Sequence, residues 1–264
     1  MNQKKPMTNR ALPAIILLLL LACVTAGVLA FPKIREALFA PTEAAGAVAT
    51  MQKTSKTYQY NNIDIFKFTI EYPEITSTDY PDAAALICAE IESQVAAYAE
   101  NAEELYQEAI EAYDESQQED YPFHPWEAYI MYQLTHNADG LLSLYIDQYL
   151  YFGGAHGSTL RSSATWELTQ GTQRTLDSFG KPGTDYQSFI LETIVQQARY
   201  NAAHDPDVMY FDDYPDLIKE NFDPQSFYLT PDGLVIYYQQ YEIGPYAMGL
   251  IEFTIPTDTL ALPN

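Results

Sequence analysis

Residues 128–152 read AYIMYQLTHNADGLLSLYIDQYLYF, and this stretch decides the fold. Two apolar runs, Ala128 to Thr135 and Leu141 to Phe152, flank Asn137-Ala138-Asp139-Gly140. Asn, Asp and Gly accept the backbone conformations that a tight hairpin demands, so the two runs are expected to pair antiparallel. The second run sets Leu142, Leu144 and Ile146 on one face and turns aromatic at Tyr149-Leu150-Tyr151-Phe152.

Upstream, Ile63 to Tyr72 alternates through Phe66, Phe68 and Ile70, a strand expected to end at Pro73. A long helix follows, because Ile87, Ile91, Val95, Tyr98, Ala102, Leu105 and Ala109 recur at gaps of three or four. Asp79 or Asp82 is placed to cap it, and Pro81 suits its first turn. Glu100, Glu103, Glu104, Glu108 and Glu111 form its solvated face. Downstream, Ser162 to Leu168 reads as a third strand, and Gln170-Gly171 opens a return through Arg174 to Phe179. A second helix runs from about Tyr186 to Tyr200 with Ile190, Ile194 and Ala198 on one side. Phe227-Tyr228-Leu229 and Leu234 to Tyr241 flank the turn Thr230-Pro231-Asp232-Gly233, and Ile251, Phe253 and Ile255 alternate in a last strand. Strands and helices are grouped rather than strictly alternating. The expected class is α+β: a mainly antiparallel sheet packed with a long N-terminal helix and a second mid-chain helix, preceded by one transmembrane or signal-anchor helix.

That preceding segment sets the location. Ala11 to Phe31 carries no charged residue and is long enough to cross a bilayer as a helix. Lys4, Lys5 and Arg10 lie before it, which puts residues 1–10 in the cytoplasm and the rest outside the cell. Three fates are open for the 11–31 segment: retention as an anchor, lipidation at Cys23 within Leu20-Leu21-Ala22-Cys23, or cleavage after Val28-Leu29-Ala30 and secretion. Residues 32–56, rich in Ala and Thr, read as a linker. The extracytoplasmic domain then spans 57–258, in two parts, 57–122 and 123–258. Cys88 is the one cysteine beyond the membrane segment, so no intrachain disulfide is available there, and its apolar helical surroundings mark a buried structural thiol.

Charge narrows the partners. The 264 residues hold 13 basic and 36 acidic side chains, a net charge of −23 that repels nucleic-acid phosphates. Seven of the basic residues and two of the acidic ones fall in 1–56, so residues 57–264 carry a net charge of −28. Such a domain attracts cationic partners. Chemistry-bearing motifs are missing. His124, His136, His156 and His204 are widely separated, with no His-Glu-x-x-His pair, no Gly-x-Ser-x-Gly elbow and no phosphate loop. Asp205, Asp207, Asp212 and Asp213 lack calcium-loop spacing and read as a solvated acidic loop. No catalytic residue, metal or cofactor is expected.

Two segments remain. One is Tyr149-Leu150-Tyr151-Phe152-Gly153-Gly154-Ala155-His156-Gly157. The other is Asp232-Gly233-Leu234-Val235-Ile236 leading to Tyr241-Glu242-Ile243-Gly244-Pro245-Tyr246-Ala247-Met248-Gly249. With Tyr72-Pro73 ahead of them, they resemble in order the extracytoplasmic domain of RsiV-type anti-sigma factors, a domain similar to the N-terminal part of PdaC-type peptidoglycan deacetylases. The resemblance covers about residues 57–258 and implies a membrane-anchored sensing or binding domain. In the RsiV-type members this domain binds lysozyme, and capture exposes the anchor to proteolysis that releases a sigma factor. Only about ten residues precede the membrane span, and no catalytic domain follows before Asn264, so neither anti-sigma activity nor deacetylation is expected to carry over. The expectation is therefore capture of a cationic wall-lytic protein such as lysozyme; the alternative is a peptidoglycan or glycan binding module. The candidate ligand surface is Tyr149, Tyr151, Phe152, Gly153, Gly154, Ala155, His156 and Gly157 with Tyr241, Glu242, Pro245 and Tyr246. Its glycines free the backbone and its tyrosines offer rigid amphipathic area. His156 is its one imidazole, a side-chain type that changes charge near neutrality. The competing reading has the glycines merely tightening a loop that His156 braces, with the tyrosines in the core.

Overall fold

The computed structural model describes residues 46–256 apart from 181, 182 and 184. The segment read as a membrane anchor lies outside them; among the described residues no helix is long and apolar enough to cross a membrane. Six strands form one sheet in chain order: β1 (Val48–Tyr60), β2 (Ile63–Thr76), β3 (Trp126–Ala138), β4 (Leu141–Tyr151), β5 (Ser158–Glu167) and β6 (Thr172–Gln173). Every neighbouring pair is antiparallel except β2 and β3. That parallel pair follows from the helix α1 (Pro81–Gln118), which carries the chain back across the sheet between them. A second sheet holds β7 (Phe227–Thr230), β8 (Gly233–Tyr238) and β9 (Ile251–Pro256), all antiparallel, and is accompanied by α2 (Tyr186–His204) and α3 (Tyr214–Glu220). The class is α+β with a mostly antiparallel mixed sheet.

The long helix covers one face of the larger sheet. Ile87, Ile91, Ala102 and Ala109 are buried against Phe66, Ile70, Ile130, Tyr132, Leu144 and Trp166, while the glutamates of its outer face stay exposed. Polar side chains fix its diagonal path: Trp166 donates to Glu90, Tyr132 donates to Gln94, and Tyr58 donates to Glu103. Neither Asp79 nor Asp82 caps it. Tyr80 occupies the N-cap without a side-chain cap bond, and Pro81 fills the first turn, where its missing N–H costs nothing. Cys88 is part-buried, donating to the Ile75 carbonyl and accepting from the Ile75 N–H, and burial pushes its thiol up.

Three further sequence expectations change. The stretch read as linker becomes strand from Val48 onward, joined to β2 by a two-residue turn in which Asn61 and Asn62 both take positive φ, 52° and 63°. Among the described residues β1 has a neighbour on one side only, and its Thr, Ser and Lys side chains are exposed, leaving no apolar alternation to read. Pro73 does not end β2, which continues to Thr76. The pairing of β2 with β3 stops at Glu71, and a proline beyond it displaces no hydrogen bond on that side. Helix α3, with Pro215 in its first turn, follows the acidic loop and was not expected.

Strand β8 is buried throughout, because both of its faces are covered. Leu234, Ile236 and Tyr238 pack with Ile190, Ile194 and Ala198 of α2, whereas Val235 and Tyr237 pack with Tyr228 and Tyr145 of β4. The layers therefore run α1, six-stranded sheet, three-stranded sheet, α2. Between the two sheets lies Arg161 of β5, its side chain 7% exposed. It donates from Nε and Nη2 to the two oxygens of Asp147 at 2.6 and 2.7 Å, and from Nη1 to Glu252 of β9. Its guanidinium lies 3.6 Å from the Tyr145 ring centre. Burial opposes its charge, but the hydrogen bonds and charge of Asp147, with Glu252 beyond, outweigh that and hold its pKa above the ordinary arginine value. Arg161→Met leaves Asp147 without its bidentate partner. It is expected to destabilise the chain by about 3 kcal/mol, a fall in Tm of roughly 6–12 °C by thermal circular dichroism; an unchanged Tm would show that the arginine is dispensable.

Candidate binding surface

Two connections build the surface: the β4–β5 turn, residues 152–157, and the β8–β9 connection, residues 239–250. They meet at the part of β5 before Trp166, where β6 does not cover its edge. Gln239 answers that edge as a strand would, its side-chain oxygen accepting from the Arg161 N–H at 2.9 Å and its amide donating to the Arg161 carbonyl at 2.7 Å. Gln240 accepts from the Thr159 N–H at 2.8 Å. An edge strand left bare invites foreign pairing, and these two amides close it. Sequence reasoning missed both. The only hint is two adjacent glutamines at the end of an otherwise apolar strand.

With the connection clamped, Tyr246 lies over the turn. Its ring stacks on His156 with centroids 3.9 Å apart and planes 25° from parallel, and its hydroxyl donates to the Gly157 carbonyl at 2.8 Å. His156 Nδ1 donates to the same carbonyl at 3.0 Å. A carbonyl only accepts, so this bond places a proton on Nδ1 and leaves Nε2 open, with no partner among the described residues. Tyr241 is exposed, held at φ 69°, and tilts against Tyr246 at 5.8 Å. Beneath the turn, Tyr149 packs on Gly157, where an added Cβ would sit 2.4 Å from the tyrosine ring. Burial, then the charge of Glu127, pushes the Tyr149 phenol up.

The expected residues thus divide. Tyr149, His156, Gly157, Tyr241 and Tyr246 come together, and Pro245 sets the turn that carries Tyr246. Glu242 faces inward, accepting from the Gln239 N–H at 2.6 Å, and burial pushes its carboxyl up. Phe152 packs edge-on against Trp126 at 4.8 Å instead of joining the stack. Gly153 takes φ 77° with the His124 carbonyl 3.0 Å from where a Cβ would be, so a side chain there is both strained and crowded. Gly154 and Ala155 are exposed, and Tyr151 is half-buried at the end of β4. His156 braces the loop and is exposed as well, so the bracing and binding readings meet in one residue.

Fold and surface define an α+β domain with a composite aromatic face drawn from two distant stretches of chain. The comparisons with known proteins divide the chain in the same way. Residues 59–159 match the family described as deacetylase PdaC, and residues 177–258 match the one described as a protein of unknown function, DUF3298. A stretch of 79 residues, 29% of this chain, is 35% identical to the anti-sigma-V factor RsiV of Bacillus subtilis, covering 28% of that protein. Over 208 residues, 75% of this chain, it is 21% identical to the peptidoglycan-N-acetylmuramic acid deacetylase PdaC of the same bacterium, covering 41% of it. The chain therefore spans less than half the length of either curated relative. Two solved DUF3298 family proteins share the fold. The one from Pseudomonas aeruginosa has a TM-score of 0.53 at 19% identity, over 86% of this chain and 97% of its own. The one from Bacteroides fragilis has a TM-score of 0.58 at 20% identity, over 82% and 93%. The chain is thus similar in one segment to the PdaC family and in the other to the DUF3298 family, and its aromatic surface takes one half from each matched segment.

Two substitutions test this geometry. Gly157→Ala drives a methyl group into the Tyr149 ring and is expected to cost about 1–3 kcal/mol, read as a lowered midpoint in urea. Glu242→Gln is expected to change the pH dependence of stability. A carboxyl whose folded pKa is raised favours folding more as the pH drops, so the native chain should gain stability relative to the variant as pH falls from neutrality towards 4.5, the ordinary glutamate value. Parallel stability curves in urea titrations would refute that account.

Proposed function

We propose that the chain is a membrane-tethered, extracytoplasmic sensing protein that captures a cationic wall-lytic protein such as lysozyme on this aromatic surface. The observation that carries the reading is convergence: Tyr246 reaches Gly157 from 89 residues away and stacks on His156, making one face of two separate motifs. Tyrosine and histidine rings held by packing offer contact area with little rotamer freedom left to lose. His156 Nε2, without a partner among the described residues, adds a polar contact point for the captured protein. The net charge of −28 on residues 57–264 draws cations towards the domain. The likeness to a protein named as an anti-sigma factor supports sensing. In this reading residues 11–31 tether the domain outside the cell, with lipidation at Cys23 or cleavage after Ala30 as the other fates. Capture then shields the wall by sequestration or is reported through cleavage of the anchor. The second reading, a wall glycan on the same tyrosines, is supported by the likeness to a protein named as a peptidoglycan deacetylase.

Calorimetric titration of the chain with lysozyme at two salt concentrations tests the proposal. Binding is expected to be tight at about 0.01 M salt and weaker at about 0.15 M, as the Debye length shortens from about 30 to about 8 Å. Tyr246→Ala should weaken it by about tenfold or more. No heat at low salt, or full binding by the Tyr246 variant, would sink the lysozyme reading. Salt-insensitive binding of wall glycan would favour the second.

A further inference from the structure

A separate cavity of about 500 Å³ opens farther along β5, where that strand, the 3₁₀ turn Leu176–Phe179 and the loop entering β7 come together. Its size lies in the range of small-molecule sites. Leu176 and Phe227, both buried, give it an apolar wall. The rest of the lining is polar, including Arg174, Asp177, Tyr186 and Gln225. Several of these polar groups spend their hydrogen bonds within the protein: Arg174 donates to Ser178 and to Glu167, and Thr175 donates to Asp177. Two groups do not. Among the described residues, the side-chain amide of Gln225 and the hydroxyl of Tyr186 have no hydrogen-bond partner, although both line the cavity.

Charge decides what such a space can hold. Among the described residues Arg174 is the one cation of the lining, and Glu167 pairs with it at 3.3 Å while Asp177 faces the same space. Among the described residues no unspent positive charge remains for a phosphate or carboxylate, in a domain already strongly acidic. The groups still open are neutral donors and acceptors, and they share the cavity with an apolar wall. That combination suits a molecule with a hydroxylated edge and a carbon–hydrogen face.

We propose that this cavity is a binding site for a short neutral saccharide. Gln225 and Tyr186 hydrogen-bond its hydroxyl edge, and Leu176 and Phe227 receive its apolar face. The site is distinct from the His156–Tyr246 surface, and its proof or failure leaves the lysozyme reading untouched.

Titration of the full chain with chitotriose and, separately, cellotriose tests it. At least one of these neutral trisaccharides is expected to bind. Gln225→Ala and Tyr186→Phe, each removing one open group at the lining, should weaken that binding about three- to tenfold. His156→Ala should leave it unchanged, because that residue belongs to the other surface. The proposal is overturned if neither trisaccharide binds at about 10 mM, if both lining variants bind as the native chain does, or if His156→Ala abolishes binding. Circular dichroism of each variant separates a lost ligand contact from a lost fold.

Discussion

The arrangement depends on one buried arginine. A guanidinium between two sheets is tolerable only when its charge is met at once, since an isolated ion in a low-dielectric interior is prohibitively unfavourable. Arg161 therefore dictates its surroundings: Asp147 from the neighbouring strand, Glu252 from the second sheet, and the Tyr145 ring against its face. The domain beyond residue 56 has six basic residues, and one of them is placed here rather than on the surface. What this secures is register. The Gln239 amide grips the Arg161 backbone while Glu252 grips its side chain, so both ends of the β8–β9 connection are fixed to the same residue of β5. The aromatic surface forms in the loop between those two anchors.

Elements whose signal is local were legible in the sequence. The Asn137 to Gly140 hairpin, the helix face from Ile87 to Ala109 and the Ile190 face of the second helix all follow from residues within a few positions of one another. β1 was not legible, because an edge strand with water on most of its side chains has the composition of a linker. The division into two sheets was half visible: Leu234-Val235-Ile236-Tyr237-Tyr238 is an uninterrupted apolar run, the mark of a strand covered on both faces. Nothing in the sequence tied Arg161 to Glu252, 91 positions away, and no periodicity reaches that far.

The surface shows the same split. Both of its motifs could be picked out and grouped, but the contacts that join them could not, because two glutamine side chains acting as a surrogate strand bring them together. The glycines also separate by physical role. Gly157 is required because Tyr149 fills the space a side chain would take, and Gly153 because its φ is positive beside the His124 carbonyl. Gly154 meets neither condition, having nothing within 4 Å of where its Cβ would be. A reading that treats the three glycines alike as loosening the loop mistakes packing for flexibility.

Strand β5 carries all of these features in one short stretch. Its start, Ser158 and Thr159, follows directly on the aromatic turn; Arg161 locks the sheets; Ser163 and Thr165 line the cavity and hydrogen-bond across the seam, Ser163 to the Phe227 carbonyl and Thr165 to Ser143, which in turn accepts from the Leu229 N–H. Successive odd-numbered residues of a strand share one face, so β5 presents these groups in a row toward the second sheet. A row of this kind is stiff. It has paired backbone on one side and clamped backbone on the other, and its central side chain cannot move without exposing a charge. Recognition on such a platform draws on geometry fixed during folding, and little of the contact energy is lost in ordering the loop at the moment of binding.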